Sequence, residues 1–213
     1  MNSVFIAGST GYLGSRLAKC LLENGYEVEA LVRKGSAHKA PPGCKVITGD
    51  PLSPDTYQHS ISSGTFIHLI GVSNPGPAKA DLFRQIDLPA AFASMDAAKY
   101  ANVKHFVYVS VAHPVPVMKA YIRTRMEAEA KLRASGLQAT ILRPWYVLGP
   151  GHRWAYALIP LYKLFELIPG TRQGALRCGL VTLRQMLAAL MHAVENPEKG
   201  IRVIEVPEIR KFG

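Results

Sequence analysis

The sequence predicts an α/β fold in which a doubly wound parallel sheet is covered by helices on both faces, with a small C-terminal subregion. Three observations carry that expectation. Short apolar runs alternate with longer segments of helical period. Three glycines, Gly8, Gly11 and Gly14, follow the first apolar run directly, and no internal repeat, low-complexity tract or long polar linker breaks the alternation. Parallel strands need crossover connections, usually helices, so regular strand–helix alternation implies a parallel sheet.

The elements follow in chain order. Ser3 to Ala7 is a short apolar run suited to a buried strand, and Tyr12 to Glu23 is an amphipathic helix that stops at Asn24-Gly25. Strands are expected next at Glu27 to Val32 and Lys45 to Thr48, then a weak helix near Asp55 to Ser60 and a strand at Thr65 to Ile70. Ala80 to Tyr100 reads as a helix in which Pro89 marks a kink or restart, because proline lacks the amide hydrogen that an interior turn needs. His105 to Ser110 is the fifth strand, Met118 to Ser135 a helix ending at Ser135-Gly136, and Ala139 to Leu142 the sixth strand. Helices at Trp154 to Leu167 and Leu183 to Glu195 and a strand at Arg202 to Val206 complete the pattern. It loosens after Arg143, where proline, glycine and aromatic residues become frequent. Residues 144–182 are therefore expected to form a substrate-side subregion within one domain spanning 1–213.

Composition narrows the function classes. The 213 residues, 48% of them hydrophobic and 19% charged, suit a globular chain, and the formal charge of +10 favours a polyanionic ligand. The basic residues are scattered rather than gathered in a block, which argues for a phosphate-bearing small molecule and against a dedicated nucleic-acid surface. Cys20, Cys44 and Cys178 are odd in number and lack metal spacing, so free thiols in a reducing cytoplasm are expected. No export signal is visible at the N-terminus. The apolar stretch "WAYALIPLYKLFELIPG" is too short and too broken to span a bilayer, which leaves peripheral membrane contact open. The oligomeric expectation is a monomer or a homodimer.

In a doubly wound fold the first strand-to-helix turn presents backbone N–H groups to a diphosphate. "AGSTGYLG" occupies that place, so Gly8, Thr10, Gly11, Tyr12, Leu13 and Gly14 are candidate cofactor contacts; the alternative is a tight turn with no ligand. An NAD site usually carries an acid after the second strand, on the ribose hydroxyls. Here Arg33 and Lys34 stand instead. A guanidinium pairs with a 2′-phosphate, so NADP(H) is expected over NAD(H), unless the two are simply solvated cations at a strand end.

Taken together, "AGSTGYLG", "TGDPLSP", "FIHLIG", "HFVYVSV" and "SGLQATILRPWYVLGPG" resemble the short-chain dehydrogenase/reductase superfamily, in its atypical branch of NmrA-like and epimerase-like NAD(P)-binding Rossmann proteins. The resemblance spans nearly the whole chain. It implies that Asp50, with Pro51 and Leu52, accepts a hydrogen bond from the adenine amino group, or else merely shapes a proline-rich turn. It also implies that Gly71, between Ile70 and Val72, lets the cofactor pass over the fourth strand, or else makes a plain strand-end turn, and that Pro144 and Trp145 lie beside the nicotinamide, the alternative for Pro144 being a simple strand stop.

The superfamily's usual chemistry is hydride transfer assisted by a Tyr, a Lys four residues later and a Ser at the end of the fifth strand. Here Ser110 ends "VYVS", Tyr121 follows, and Arg125 takes the lysine position. A phenol ionises near pH 10, so a Tyr acting as acid or base at neutral pH needs a cation beside it. Residues i and i+4 share a helix face, which lets Arg125 serve, although its planar head differs from an ammonium and cannot relay a proton. His113 is a further candidate substrate contact or a solvated loop residue. Trp145, Tyr146, Trp154 and Tyr156 would wall an apolar pocket lidded by the helix at 154–167, or belong to core or an oligomer contact. Arg143 and Arg153 would hold an anionic substrate or serve structure. Two function classes follow: an NADPH-dependent oxidoreductase acting on a carbonyl or quinone-like small molecule, and a non-catalytic NADP(H) sensor or assembly protein. A nucleotide-sugar epimerase or dehydratase fits less well, since those relatives usually carry a longer C-terminal region.

Overall fold

A computed structural model describes residues 2–73, 75–115, 117–150, 157 and 159–213. Seven parallel strands form one sheet: β1 (Ser3–Ala7), β2 (Glu27–Val32), β3 (Lys45–Thr48), β4 (Thr65–His68), β5 (His105–Val109), β6 (Ala139–Arg143) and β9 (Ile201–Glu205). Their order across the sheet is β3-β2-β1-β4-β5-β6-β9. Helices α1 (Tyr12–Glu23), α3 (Leu88–Tyr100), α4 (Lys119–Ala134) and α7 (Leu183–Glu195) provide the main crossovers. This is a Rossmann-like α/β fold, as the alternation predicts.

The side-chain period of the strands explains the two-sided core. Successive residues of a strand point to opposite faces. Val4 and Ile6 of β1 join α1 and α7 in one cluster through Leu17, Leu21, Met186 and Leu190. Phe5 and Ala7 join α3 and α4 in the other through Ala91, Met95, Ala128 and Leu132. Phe5, Phe66 and Phe106 are register partners on β1, β4 and β5, with ring centroids 4.7 and 5.2 Å apart, so one aromatic ladder crosses the sheet centre.

Several elements differ from expectation. The weak helix near 55–60 is two 3-10 turns, Pro54–Thr56 and Gln58–Ser60. The long helix through Pro89 is entered by a short turn, α2 (Ala80–Leu82), and a π turn, Phe83–Asp87, after which α3 restarts with Pro89 in its first turn. The wider π turn, closed by the Leu88 N–H on the Phe83 carbonyl, falls where Pro89 brings no N–H to an α-helical ladder. The helix expected over 154–167 is described from Ile159 as α5 (Ile159–Leu167), its first residues lying outside the described ones. A second helix, α6 (Pro169–Arg177), and a parallel pair of three-residue strands, β7 (Tyr146–Leu148) with β8 (Leu180–Thr182), were not foreseen. A short α8 (Val206–Ile209) follows β9. None of the described helices is long and apolar enough to cross a membrane.

Candidate functional site

Because all seven strands are parallel, their C-terminal ends share one edge. Along it, in the order β3, β2, β1, β4, β5 and β6, lie Asp50, Arg33 with Lys34, the glycine turn, Ile70 to Val72, Ser110, and Pro144 with Trp145. The sheet thus gathers the cofactor candidates into one row.

The glycine turn is dictated by close packing of the chain on itself. Gly8 has φ +96°, and a Cβ there would stand 2.8 Å from the carbonyl carbon of Leu69. A Cβ on Gly14 would fall 2.1 Å from the Gly8 carbonyl oxygen. Gly11 is the exposed N-cap of α1, without a side-chain cap and with no acid in the first helical turn. An α-helix leaves its first N–H groups unsatisfied and its N-terminus partly positive, so this end suits an anion. Thr10 is exposed, Leu13 packs on the α1–α7 core, and the Tyr12 hydroxyl lies where a Cβ on Gly149 would be 2.2 Å away. Arg16 stacks 4.1 Å over the Tyr12 ring and donates to the Tyr12 carbonyl.

Arg33 and Lys34 are exposed beyond β2, and no ion pair engages either among the described residues. Asp50 is exposed too, and its Oδ1 accepts from the Leu52 N–H at 3.0 Å, a turn in which Pro51 is the middle residue. Pro144 is buried and its carbonyl accepts from Ala112 at 3.0 Å, while Trp145 packs partly into the α1–α7 core.

Two buried ion-pair centres lie beneath β4 to β6. In the first, Arg125 of α4 is only 5% exposed. It contacts Asp87 Oδ2 at 3.0 Å, the Tyr108 hydroxyl and Val109 carbonyl at 3.3 Å, and the Ile70 carbonyl at 3.5 Å. Asp87 in turn accepts from the Val72 N–H at 2.8 Å. A Cβ on Gly71 would come 2.5 Å from the guanidinium, so Gly71 is small because Arg125 passes beneath it. Burial opposes the charge on Arg125, but Tyr121, Tyr108 and Asp87 outweigh it and its pKa is raised. For Asp87 burial wins over Arg125, and the carboxyl is raised. The half-buried Tyr121 ring sits between Phe83, 5.0 Å away, and Arg125, 5.2 Å from its centroid. The YxxxR pair is therefore brought together.

The second centre is Glu129, one helical turn beyond Arg125. It accepts from Ser110 Oγ at 2.6 Å and from Arg143 Nε at 3.0 Å, and lies 3.3 Å from His113 Nε2. Arg143 Nη2 closes the second carboxylate oxygen, and Arg143 Nη1 reaches Glu205 at 3.2 Å. Burial pushes the Glu129 pKa up, but Arg143, Ser110 and His113 more than offset it, leaving it lowered. Ser110, His113 and Arg143 are thus brought together around an acid that the sequence reasoning missed. The spacing Tyr121, Arg125, Glu129 was the available signal, since it puts one polar residue per turn on a single face. Asp87 was also missed. Arg153, Trp154 and Tyr156 lie outside the described residues.

Residues 8–158 match the protein family described as NAD(P)H-binding. Over 213 residues the chain is 26% identical to the ceramide reductase of Caulobacter vibrioides, covering 99% of this chain and 66% of that protein. It is 31% identical over 148 residues to the photosystem II assembly factor Ycf39 of Trieres chinensis, covering 66% of this chain and 44% of the relative. The chain therefore spans about half to two thirds of the length of these relatives. The structure of the Bordetella bronchiseptica enzyme WbmH in complex with NAD+ superposes with a TM-score of 0.71 at 22% identity, over 96% of this chain and 76% of that one.

Proposed function

Because the chain belongs to the NAD(P)H-binding family, we propose that it is an NADPH-dependent oxidoreductase acting on a carbonyl or quinone-like small molecule. The observation that carries the reading is the stacking of Tyr121 on Arg125 at the sheet edge where the cofactor candidates are aligned. The site suits the cofactor: the N-terminus of α1 is uncapped by any side chain and free of acid, and Arg33 and Lys34 stand unneutralised beyond β2. In this reading the α1 amides hold the diphosphate, Arg33 and Lys34 the 2′-phosphate, and Asp50 the adenine amino group. Gly71 leaves room over β4, and Pro144 and Trp145 flank the nicotinamide. Residues 144–182 provide the substrate side of a single domain.

A reduced nicotinamide held between Pro144, Trp145 and Gly71 would supply the hydride for the carbonyl carbon. Tyr121 passes its phenolic proton to the carbonyl oxygen, giving the alcohol, and Arg125 stabilises the phenolate left behind. Ser110 already donates its only proton to Glu129. To polarise the substrate carbonyl it must transfer that hydrogen bond to the substrate as it enters.

A second reading, an NADP(H)-binding sensor or assembly protein, is favoured by the same two centres. Arg125 is committed to Asp87 and Ser110 to Glu129, which leaves the usual catalytic set occupied by structural partners. Calorimetric titration of NADPH and NADH into wild type and Arg33→Ala tests the cofactor: the oxidoreductase reading expects tight NADPH binding that falls towards the NADH value in the variant. NADPH oxidation with aldehydes, quinones and ketones, lost in Tyr121→Phe, then supports catalysis. Turnover unchanged in Tyr121→Phe removes the proton-donor role.

A further inference from the structure

Leu164, Phe165, Leu167 and Ile168 are all exposed at the corner between α5 and α6, Leu167 by 79%. Leu164 and Leu167, three positions apart on α5, share a helix face, Phe165 and Ile168 adjoin them at the extended link into α6, and Lys163 stands one turn before Leu167. The corner is held in shape by Thr171 Oγ1 donating to the Phe165 carbonyl at 2.8 Å and the Arg172 N–H donating to the Ile168 carbonyl at 2.9 Å. Scattered exposed apolar residues need no explanation, but a contiguous group does.

Along the chain from 159 to 177 the charges flanking this group are mainly basic. Glu166 is the sole acid in the sequence from 159 to 177, and its carboxylate turns to Arg210 at 2.8 Å. Lys163 and Arg172 remain exposed beside the apolar side chains, on a chain whose formal charge is +10. Cations bordering an apolar cluster complement anionic headgroups over acyl chains. We propose that the α5–α6 corner docks on an anionic membrane surface, with Leu164, Phe165, Leu167 and Ile168 entering the headgroup boundary and Lys163 and Arg172 pairing with lipid phosphates. The contact is peripheral, and its test needs neither nucleotide nor turnover, so it stands or falls separately from the redox reading.

The test is co-sedimentation of the purified protein with phosphatidylcholine vesicles made with and without phosphatidylglycerol. Binding to the anionic vesicles alone is expected, released by salt. Lys163→Gln with Arg172→Gln should weaken partitioning about thirtyfold at low salt, given the usual value per basic residue near such a surface. Phe165→Ser with Leu167→Ser should lose it as well, while both variants melt with wild type because the altered side chains face solvent. Wild type left in the supernatant with anionic vesicles overturns the proposal, as do variants that bind like wild type. Sedimentation velocity showing a dimer that Leu167→Ser splits would also overturn it, assigning the corner to a second copy.

Discussion

Ser110 at the end of β5 and Glu129 on α4 are joined by a 2.6 Å hydrogen bond, which ties the sheet edge to the helix that carries Tyr121 and Arg125. Glu129 is buried and also carries Arg143, which continues to Glu205 at β9. One carboxylate therefore links β5, α4, β6 and β9. Removing one partner of a buried pair leaves the other uncompensated, at a typical cost of about 3–5 kcal/mol. Glu129→Gln should lose about 3 kcal/mol in urea denaturation at neutral pH. A loss under about 0.5 kcal/mol, the range of ordinary surface changes, would remove Glu129 from this linking role.

Arg125 and Asp87 form the parallel prediction. Arg125→Ala leaves Asp87 buried without its cation and should cost about 3–5 kcal/mol. Asp87→Asn keeps a partner for the Val72 amide, so Arg125→Met combined with Asp87→Asn should recover most of the loss. A double-mutant cycle by chemical denaturation checks this; additive losses would mean that the pair is not coupled.

The strand–helix alternation and the glycine turn were legible in sequence because both depend on local pattern: apolar runs, helical period and a backbone conformation that glycine alone adopts freely. The β7–β8 pair was not, since strands of three residues carry too little alternation to read. α6 was hidden by Gly170 and Gly174, which lower helix propensity. Within the site, the residues in row along the sheet edge followed from topology, whereas Asp87 and Glu129 became visible only through contacts made 38 and 19 positions away, with Arg125 and Ser110. Gly71 shows the limit most clearly: its place after β4 was legible, but the Arg125 guanidinium that leaves no space for a Cβ there comes from a residue 54 positions away.

Gly8 offers a test of the turn itself. Its φ of +96° and the 2.8 Å approach that an added methyl would make to Leu69 penalise any side chain twice, by backbone strain and by contact with backbone that cannot rotate away. Gly8→Ala should lose about 2–4 kcal/mol of stability and should weaken NADPH binding by shifting the α1 amides. Gly25→Ala, also at positive φ but with open space around it, should lose only about 1 kcal/mol. Equal losses at the two positions would show that strain alone, and not the approach to β4, sets the Gly8 requirement.

Acid should weaken the fold in two overlapping windows, the first opening at higher pH. His68 and His105 are buried, and burial, reinforced by Arg125 and Arg202 respectively, holds their pKa values down to about 3 and about 4. Both are neutral in the fold and titrate near 6.5 when unfolded, so their contribution is fully present above pH 6.5 and is lost as the pH falls towards 4 and then 3. For His105 that amounts to about 3 kcal/mol by pH 4. The second window belongs to Glu129 and Glu29, whose lowered values arise because Arg143 with Ser110, and Lys45 with Ser62 and Ser63, overcome the effect of burial. Their contribution is present above the ordinary glutamate value of 4.5 and is lost as the pH falls through their depressed values. Urea titrations at successive pH values should show stability declining already below pH 6.5, and His105→Gln should cut the slope of that first limb to about half, His68 supplying the rest, while leaving the second. An unchanged slope between pH 6.5 and 5 in His105→Gln would mean that His105 is not the group being charged.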